Sequence, residues 1–269
     1  MTITVAALVL LALGASARWT WWRGSRPGLK VLCYHKVGVP PSGSKLKDLW
    51  VSPGKFRSQV KYLLDHGYAT LTFSDLRKAL ETGNELPEKS VLITFDDGYE
   101  NNYSEAWPIL KELGAKGNIF VVFNTIGKAN LWHSPASEAW VNMATLAQLK
   151  EMQESGVIEF GSHTMSHPRL SSLEPENAAW ELEEAKRQLE AALGREMFAF
   201  AYPYGDGAYV PWVREKALGA GYLFDFSFTQ GKTPWPWDGK AGPIDRLFIR
   251  GRDNNWDLAL QLSRGASRL

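Results

Sequence analysis

After a greasy start the chain alternates two hydrophobic spacings. Short apolar runs are LKVLCYH (29–35), YATLTF (68–73), SVLITF (90–95), GNIFVVF (117–123), VIEFGSH (157–163), MFAFAY (197–202) and YLFDFSF (222–228). Between them lie segments whose apolar residues recur every three or four positions, the spacing of one helix face. SPGKFRSQVKYLLDHG predicts a helix with Ser52 as N-cap, Pro53 in the first turn, Gly67 at the stop and a stripe of Phe56, Val60, Leu63 and Leu64. SDLRKALETG predicts a second, capped by Ser74 and ended by Gly83. YENNYSEAWPILKELG predicts a third, kinked or restarted at Pro108. TLAQLKEMQESG, EPENAAWELEEAKRQLEAALG and YVPWVREKALGAG complete the set, and residues 124–143 read as irregular. Strands separated by helices are the pattern of parallel βα units. About seven such units predict an α/β fold, a distorted (β/α) barrel rather than a small open sheet.

The N-terminal stretch TITVAALVLLALGAS (2–16) carries no charge and predicts an apolar helix ahead of the barrel. It is short of the ~20 residues a membrane crossing needs, unless Trp19, Trp21 and Trp22 form an interfacial belt around Arg18. Ala15-Ser16-Ala17 also fits a signal cleavage site. Residues 1–22 are therefore expected to be a membrane anchor or signal segment, 23–29 a linker and 30–269 the catalytic domain. Arg18, Arg23 and Arg26 follow the apolar run, which by charge bias favours the cytoplasmic side, whereas a cleaved signal favours export. The expectation is a membrane-associated or exported protein with its side left open.

Composition narrows the function. The formal net charge is +1, and no basic block points to nucleic acid. A single cysteine, Cys33, excludes an internal disulfide and any multi-cysteine metal site, and its apolar setting reads as buried filler. Twelve tryptophans favour a carbohydrate partner, since exposed indoles stack on sugar rings. Trp132, Trp235 and Trp237 are the candidates for that contact.

In a (β/α) barrel the chemistry sits where strands end. Three strand ends are polar: TFDDG with Asp96 and Asp97, SHTMSHP with His163 and His167, and AYPYGDG with Tyr202, Pro203, Tyr204 and Asp206. Adjacent strand residues point to opposite sides, so Asp96 and Asp97 are suited to different tasks, a metal ligand and a general base. A glycosidase pair needs carboxyls ~5–10 Å apart on opposing walls, which one dipeptide does not supply. His163 and His167 are four apart, which on a helical turn puts both imidazoles on one face. With one carboxylate they form a site for zinc or another divalent ion with open positions for water. Turn chemistry alone would also account for DDG.

TFDDG, SHTMSHP and AYPYG, in that order, resemble the signature blocks of the polysaccharide deacetylase family, the NodB-homology domain of carbohydrate esterase family 4, over roughly residues 30–250. The resemblance implies a distorted (β/α) barrel, a divalent metal, commonly zinc, and hydrolytic removal of acetyl groups from amino sugars of an N-acetylated glycan. It implies Asp96 as general base and Asp97, His163 and His167 as metal ligands. A backbone N–H of the Tyr202–Gly205 turn, at Pro203-Tyr204, is the expected oxyanion donor. Two blocks depart from the pattern. The family arginine before the Pro-Tyr pair is absent from FAFAYPYG, so Arg246 or Arg250 becomes the candidate to orient the base. No histidine follows His167, so the C-terminal acid histidine is missing. The YH-x-V block at Tyr34-His35 resembles the branch with poly-N-acetylglucosamine deacetylases, whose acid histidine lies on the N-terminal strand. That makes His35 the expected general acid. His66 and His133 read as structural and loop residues. Two alternatives remain, a deacetylase or deformylase of a lipid-linked sugar at the cytoplasmic membrane face, and an inactive carbohydrate-binding module.

Overall fold

The structure, a computed structural model, describes residues 2–19 and 24–268. The tryptophan belt at Trp21 and Trp22 and the charge of Arg23 lie outside the described residues. The first helix, α1 (Thr2–Trp19), exposes Val5, Leu8, Leu10, Leu11 and Leu13. No helix among the described residues is long and apolar enough to cross a membrane.

The remaining elements follow in order: β1 (Val31–Tyr34), β2 (Lys36–Val37), β3 (Trp50–Val51), α2 (Pro53–Asp65), β4 (Ala69–Leu71), α3 (Phe73–Thr82), β5 (Ser90–Phe95), α4 (Trp107–Leu113), β6 (Gly117–Val121), α5 (Leu146–Glu154), β7 (Ile158–Ser162), α6 (Pro175–Leu193), β8 (Ala199–Ala201), α7 (Pro211–Gly219), β9 (Phe224–Gln230), β10 (Ile244–Phe248) and α8 (Asn255–Arg264). Strands β5 to β10 pair in sequence, all parallel, and β1 closes the ring by pairing with both β10 and β5. This is a closed seven-stranded barrel. Its membership differs from the expectation. YATLTF, as β4, hangs outside the ring on β5, and the seventh stave is β10, in a stretch whose charged Asp245 and Arg246 conceal a strand.

Two cores follow from strand alternation. Val31, Leu92, Phe120, Phe224, Phe226 and Ile244 fill the barrel. Leu32, Tyr34, Ile93, Phe95 and Ile119 face outward against the helices. Tyr34 is thus core, its hydroxyl bonded to Gln59 Oε1 at 3.0 Å. The interior is tight enough that a Cβ on Gly161 would meet the Phe120 ring at 2.7 Å.

Local chemistry revised two helix starts. α3 is capped by Thr72, not Ser74: Thr72 and Asp75 form a reciprocal capping box, while Ser74 bonds Glu159. Ser52 makes no side-chain cap bond, so Pro53 alone sets the start of α2. The restart at Pro108 is a π-helical turn, Asn102–Ala106, leading into α4.

Strand β5 has β1 along one edge, so β4 and β6 share the other. Asn118 bridges that division. Its amide donates to Leu71 O (3.0 Å) and Ile93 O (3.2 Å), and its carbonyl accepts from Phe73 N (3.0 Å). Its side chain is fully buried. Asn118→Ala would strand three backbone groups and is expected to lower the unfolding free energy by about 3 kcal/mol. Urea titration measures this, and a loss under about 1 kcal/mol would show that water replaces the amide.

Candidate active site

The site lies at the C-terminal ends of the barrel strands, where alternation points His35, Asp96, His163 and Arg246 inward and the turns beyond bring in Asp97 and His167. Asp96 follows β5 and turns toward β10. There Arg246 meets it with two parallel bonds, Nη1 to Oδ1 at 2.6 Å and Nη2 to Oδ2 at 2.8 Å. Arg246 is fixed in turn by Nε donating to Ser227 O at 2.7 Å, and both members of the pair are buried. Burial pushes the Asp96 carboxyl up, but the Arg246 charge, helped by His163 and His35, outweighs it and holds the pKa below the usual value. Of the two arginines expected at the base, Arg246 takes the place. The Arg250 guanidinium lies over the Phe248 ring at 5.0 Å instead.

Asp97 turns the other way, in the left-handed region at φ 77°. Its Oδ1 stands 3.4 Å from His163 Nε2 and 3.2 Å from His167 Nε2. The two histidines do not share a helical turn. His163 follows β7 directly, and His167 lies in the loop beyond it. That loop bends through positive φ at Thr164 and His167 and is closed by His167 N donating to Thr164 Oγ1 at 2.9 Å. The loop is anchored from α6, where Glu181 accepts from Ser166 N (2.9 Å) and Ser166 Oγ (2.5 Å). Sequence reasoning missed Glu181, which sits thirteen residues past the motif inside a regular helix pattern.

These three side chains fit a divalent metal. Asp97 Oδ1 is buried with no hydrogen-bond donor on it. His163 Nδ1 lies 2.7 Å from Ala201 O, which makes Nδ1 the donor and leaves Nε2 as a lone-pair ligand. Burial lowers the His167 pKa against the pull of Asp97, keeping the ring neutral as a ligand must be. Burial raises the Asp97 carboxyl, but the two imidazoles hold it well below its ordinary value. Ligand atoms at ~2.0–2.1 Å from a tetrahedral zinc stand ~3.3 Å apart, which the 3.2 and 3.4 Å spacings match. Cys33, His35 and Asp96 also converge. Both Asp96 oxygens are engaged by Arg246, however, so that cluster has no free carboxylate for a cation.

His35 continues β1 and brings Nε2 to 3.9 Å from Asp96 Oδ2. Phe228 and Phe248 meet its ring edge-on, and Asn102 Nδ2 donates to its carbonyl at 2.8 Å. Burial pushes its pKa down to about 4, against the opposing pull of Asp96 and Asp97, so the ring is uncharged at neutral pH. Cys33 is closer to the chemistry than filler, its Sγ 3.5 Å from Asp96 Oδ2, and burial raises its pKa well above the ordinary thiol value.

In the Tyr202–Gly205 turn, Tyr202 N–H donates to Phe226 O, Gly205 N–H donates to Tyr202 O, and Pro203 has none. The Tyr204 N–H is the donor the turn leaves, on a residue at φ 59°. The Tyr204 ring packs edge-on against His167 at 4.5 Å, with Arg169 over it at 4.4 Å. Asp206 serves the loop rather than the site, accepting from Ser171 N and Oγ.

The tryptophan candidates divide. Trp132 stacks on His167, ring centroids 4.5 Å apart, at the rim of the site. Trp235 and Trp237 are at the opposite end of the barrel. Because β10 is parallel to β9, residues 231–243 must run back to the start of β10. That carries TPWPWDG away from the site. Trp237 packs on Phe224, the first residue of β9, and Trp235 lines a basal cavity of about 1120 Å³ with Leu29 and Ser90. His66 stacks on Tyr62 at the end of α2, as a structural residue.

A sequence model of the family described as polysaccharide deacetylase matches residues 83–223, just over half of the chain. The Bacillus subtilis protein YxkH, which carries a polysaccharide deacetylase name, is 33% identical over 69% of this chain and 60% of its own length. The poly-beta-1,6-N-acetyl-D-glucosamine N-deacetylase of Staphylococcus epidermidis is 32% identical over 61% of this chain and 57% of its own. The chain thus spans less than two thirds of the length of these relatives. Among solved structures, the Streptococcus pyogenes deacetylase PplD in complex with acetate superposes with a TM-score of 0.74 at 26% identity, over 88% of this chain and all of that one.

The geometry separates the candidate ligands from their neighbours. His163→Ala and His167→Ala are expected to weaken zinc binding by more than the ~100-fold that an outer partner is worth. His35→Ala should leave it unchanged. Metal titration of the purified variants decides, and loss of zinc in His35→Ala would reassign the ligand set.

Proposed function

The chain belongs to the polysaccharide deacetylase family, and on that premise we propose that it is a metal-dependent hydrolase removing N-acetyl groups from amino sugars of a polysaccharide or cell-surface glycan. The observation that carries this reading is the Asp97–His163–His167 cluster set beside a second, separately held carboxylate, Asp96. One buried acid is aimed at two imidazoles and the other at an arginine, the division of labour that amide hydrolysis requires. The named substrate of the Staphylococcus relative and the acetate in the PplD structure support the acetylated amino sugar. Zinc is the ion we assign, on the nitrogen–nitrogen–oxygen donor set. A complete ligand and base set favours an enzyme over an inactive binding module. The exposed apolar side chains of α1 support a membrane-associated placement through the N-terminal segment.

When bound, a divalent ion at Asp97, His163 and His167 would polarise the acetyl carbonyl and acidify the attacking water. Asp96 accepts the proton that this water gives up. Arg246 keeps the carboxylate ionised and fixes both its oxygens, so the base is oriented before substrate arrives. The Tyr204 N–H is aimed at the charge that develops on the carbonyl oxygen. His35 serves the leaving amine. Its ring is uncharged at rest, so the proton it delivers is one received during the turnover from Asp96, 3.9 Å away. The C–N bond breaks as the amine is protonated, and acetate is left.

Acetate release from N-acetylglucosamine oligomers, with and without chelator, tests the reading. Release that stops with chelator and returns with zinc is expected; no release from the zinc-loaded protein across a panel of N-acetylated glycans would sink it. His35→Ala should keep its metal yet lose about 10²–10⁴ in turnover, and full activity would remove His35 from the mechanism. Arg246→Met removes the largest opposition to the burial of Asp96, so the base pKa rises. The acid limb of the pH–rate profile should then move to higher pH; an unmoved limb would show that Asp96 is not the group titrating.

A further inference from the structure

Lys36 directly follows His35, and its side chain is fully buried. β1 pairs with β5 in the register Tyr34 with Phe95. Continued by one step, that register sets His35 beside Asp96, the acid–base pair already described. Lys36 passes into β2, and the Tyr99 ring that its Nζ faces meets Trp132 at 6.3 Å, which in turn stacks on the proposed ligand His167 at 4.5 Å.

No hydrogen bond reaches Lys36 Nζ, and among the described residues no carboxylate lies within ion-pair distance of it. The ammonium sits instead between two aromatic faces, 4.4 Å from the centroid of Tyr99 and 5.4 Å from that of Trp50, its partner in the β2–β3 register. The Tyr99 hydroxyl beside it is also buried without a partner. Glu138 is the other acid that acts on Lys36. Its oxygens are occupied by the 44–46 loop, which they hold through Ser44 Oγ (2.6 Å), Lys45 N (2.7 Å) and Leu46 N (3.0 Å). Burial lowers the pKa of Lys36, while Asp97 and then Glu138 hold it up.

A buried ammonium with no hydrogen bond and no counter-ion is costly, and a methionine would fill the same aromatic slot without that cost. What methionine lacks is the field. In a low-dielectric site an unshielded charge acts over several ångströms. Hydrolysis of an acetamide converts a neutral group into an anionic tetrahedral centre and then into acetate. A fixed positive charge favours both anions over the neutral substrate.

We propose that Lys36 is an electrostatic residue of the hydrolytic site, whose buried charge favours the anionic tetrahedral centre and acetate over the neutral N-acetyl group. The proposal rests on the deacetylase reading above. It differs from a contact role, because Nζ is shut away from solvent, and from a ligand role, because Lys36 has no bond to Asp97.

The test is Lys36→Met, with Lys36→Gln as a second variant, in the zinc-loaded full chain. Three readouts are compared: inhibition by acetate, the split between kcat and KM on a neutral N-acetylglucosamine oligomer, and zinc content. The expected result is acetate inhibition weakened about tenfold, kcat lowered at least as much, and KM within about twofold. Zinc should be retained and the melting temperature should not fall. Unchanged acetate inhibition and kcat would overturn the proposal, as would a rise in KM alone. Loss of zinc in both variants would also overturn it, by making Lys36 a support of the ligand set. If the wild-type protein releases no acetate from any glycan, the deacetylase reading fails by itself. Direct acetate titration of the zinc-loaded protein and of Lys36→Met then still reports whether the charge acts on an anion.

Discussion

The buried pair between Asp96 and Arg246 is the constraint on which the site depends. The two residues are 150 positions apart in the chain and are joined by two short bonds inside the barrel. They meet only because β1 closes the ring between β5 and β10. Either charge left alone in that interior would cost several kcal/mol, so the pair ties correct closure of the barrel to correct placement of the proposed base. Fold and chemistry are thus specified by one interaction. A register slip of one residue in β10 would turn Arg246 to the outer face and leave Asp96 buried without its counter-charge.

The same register distributes tasks between neighbouring residues. Asp96 and Asp97 leave β5 in opposite directions, one toward an arginine and the other toward two imidazoles. His35 and Lys36 likewise part at the end of β1, the imidazole near Asp96 and the Lys36 Nζ against the Tyr99 and Trp50 rings. Two dipeptides at the ends of paired parallel strands therefore supply the proposed base, ligand, acid and charge. Alternation begins this division at the strand ends, and the left-handed turn at Asp97 (φ 77°) completes it.

Much of this was legible in the chain, and the limits have physical causes. The strand-end motifs marked Asp96, Asp97, His163 and His167 because each polar group follows an apolar run, and the barrel brings those ends together. His35 was legible from its strand end and the YH-x-V block, together with the vacancy left by a histidine missing downstream. β10 was hidden because Arg246 occupies an inward position that a pattern reading expects to be apolar. Arg246 and Arg250 could not be told apart until the register of β10 was known, since they differ by which face they present. Trp235 and Trp237 misled because composition reports an aromatic loop but not the end of the barrel it crosses. Glu181 and Glu138 were invisible for another reason. Both act by holding a loop through its backbone, and a carboxylate so used leaves no mark in sequence spacing.

Backbone strain completes the account of why this end of the barrel is chemical. Among the described residues, four that are not glycine have positive φ: Asp97, Thr164, His167 and Tyr204. Two are proposed metal ligands, one closes the loop between the histidines, and one carries the free turn N–H. Such conformations cost of order 1–3 kcal/mol each and persist only where the surroundings over-determine them. Here they do. Glu181 anchors the histidine loop, Ala201 orients His163, and the Trp132 and Tyr204 rings enclose His167. Relaxing any of these turns would swing a ligand or a donor away from the common centre. The strain is therefore best understood as free energy of the folded barrel held in the positions of its functional groups, so that binding a cation or a developing oxyanion requires little rearrangement.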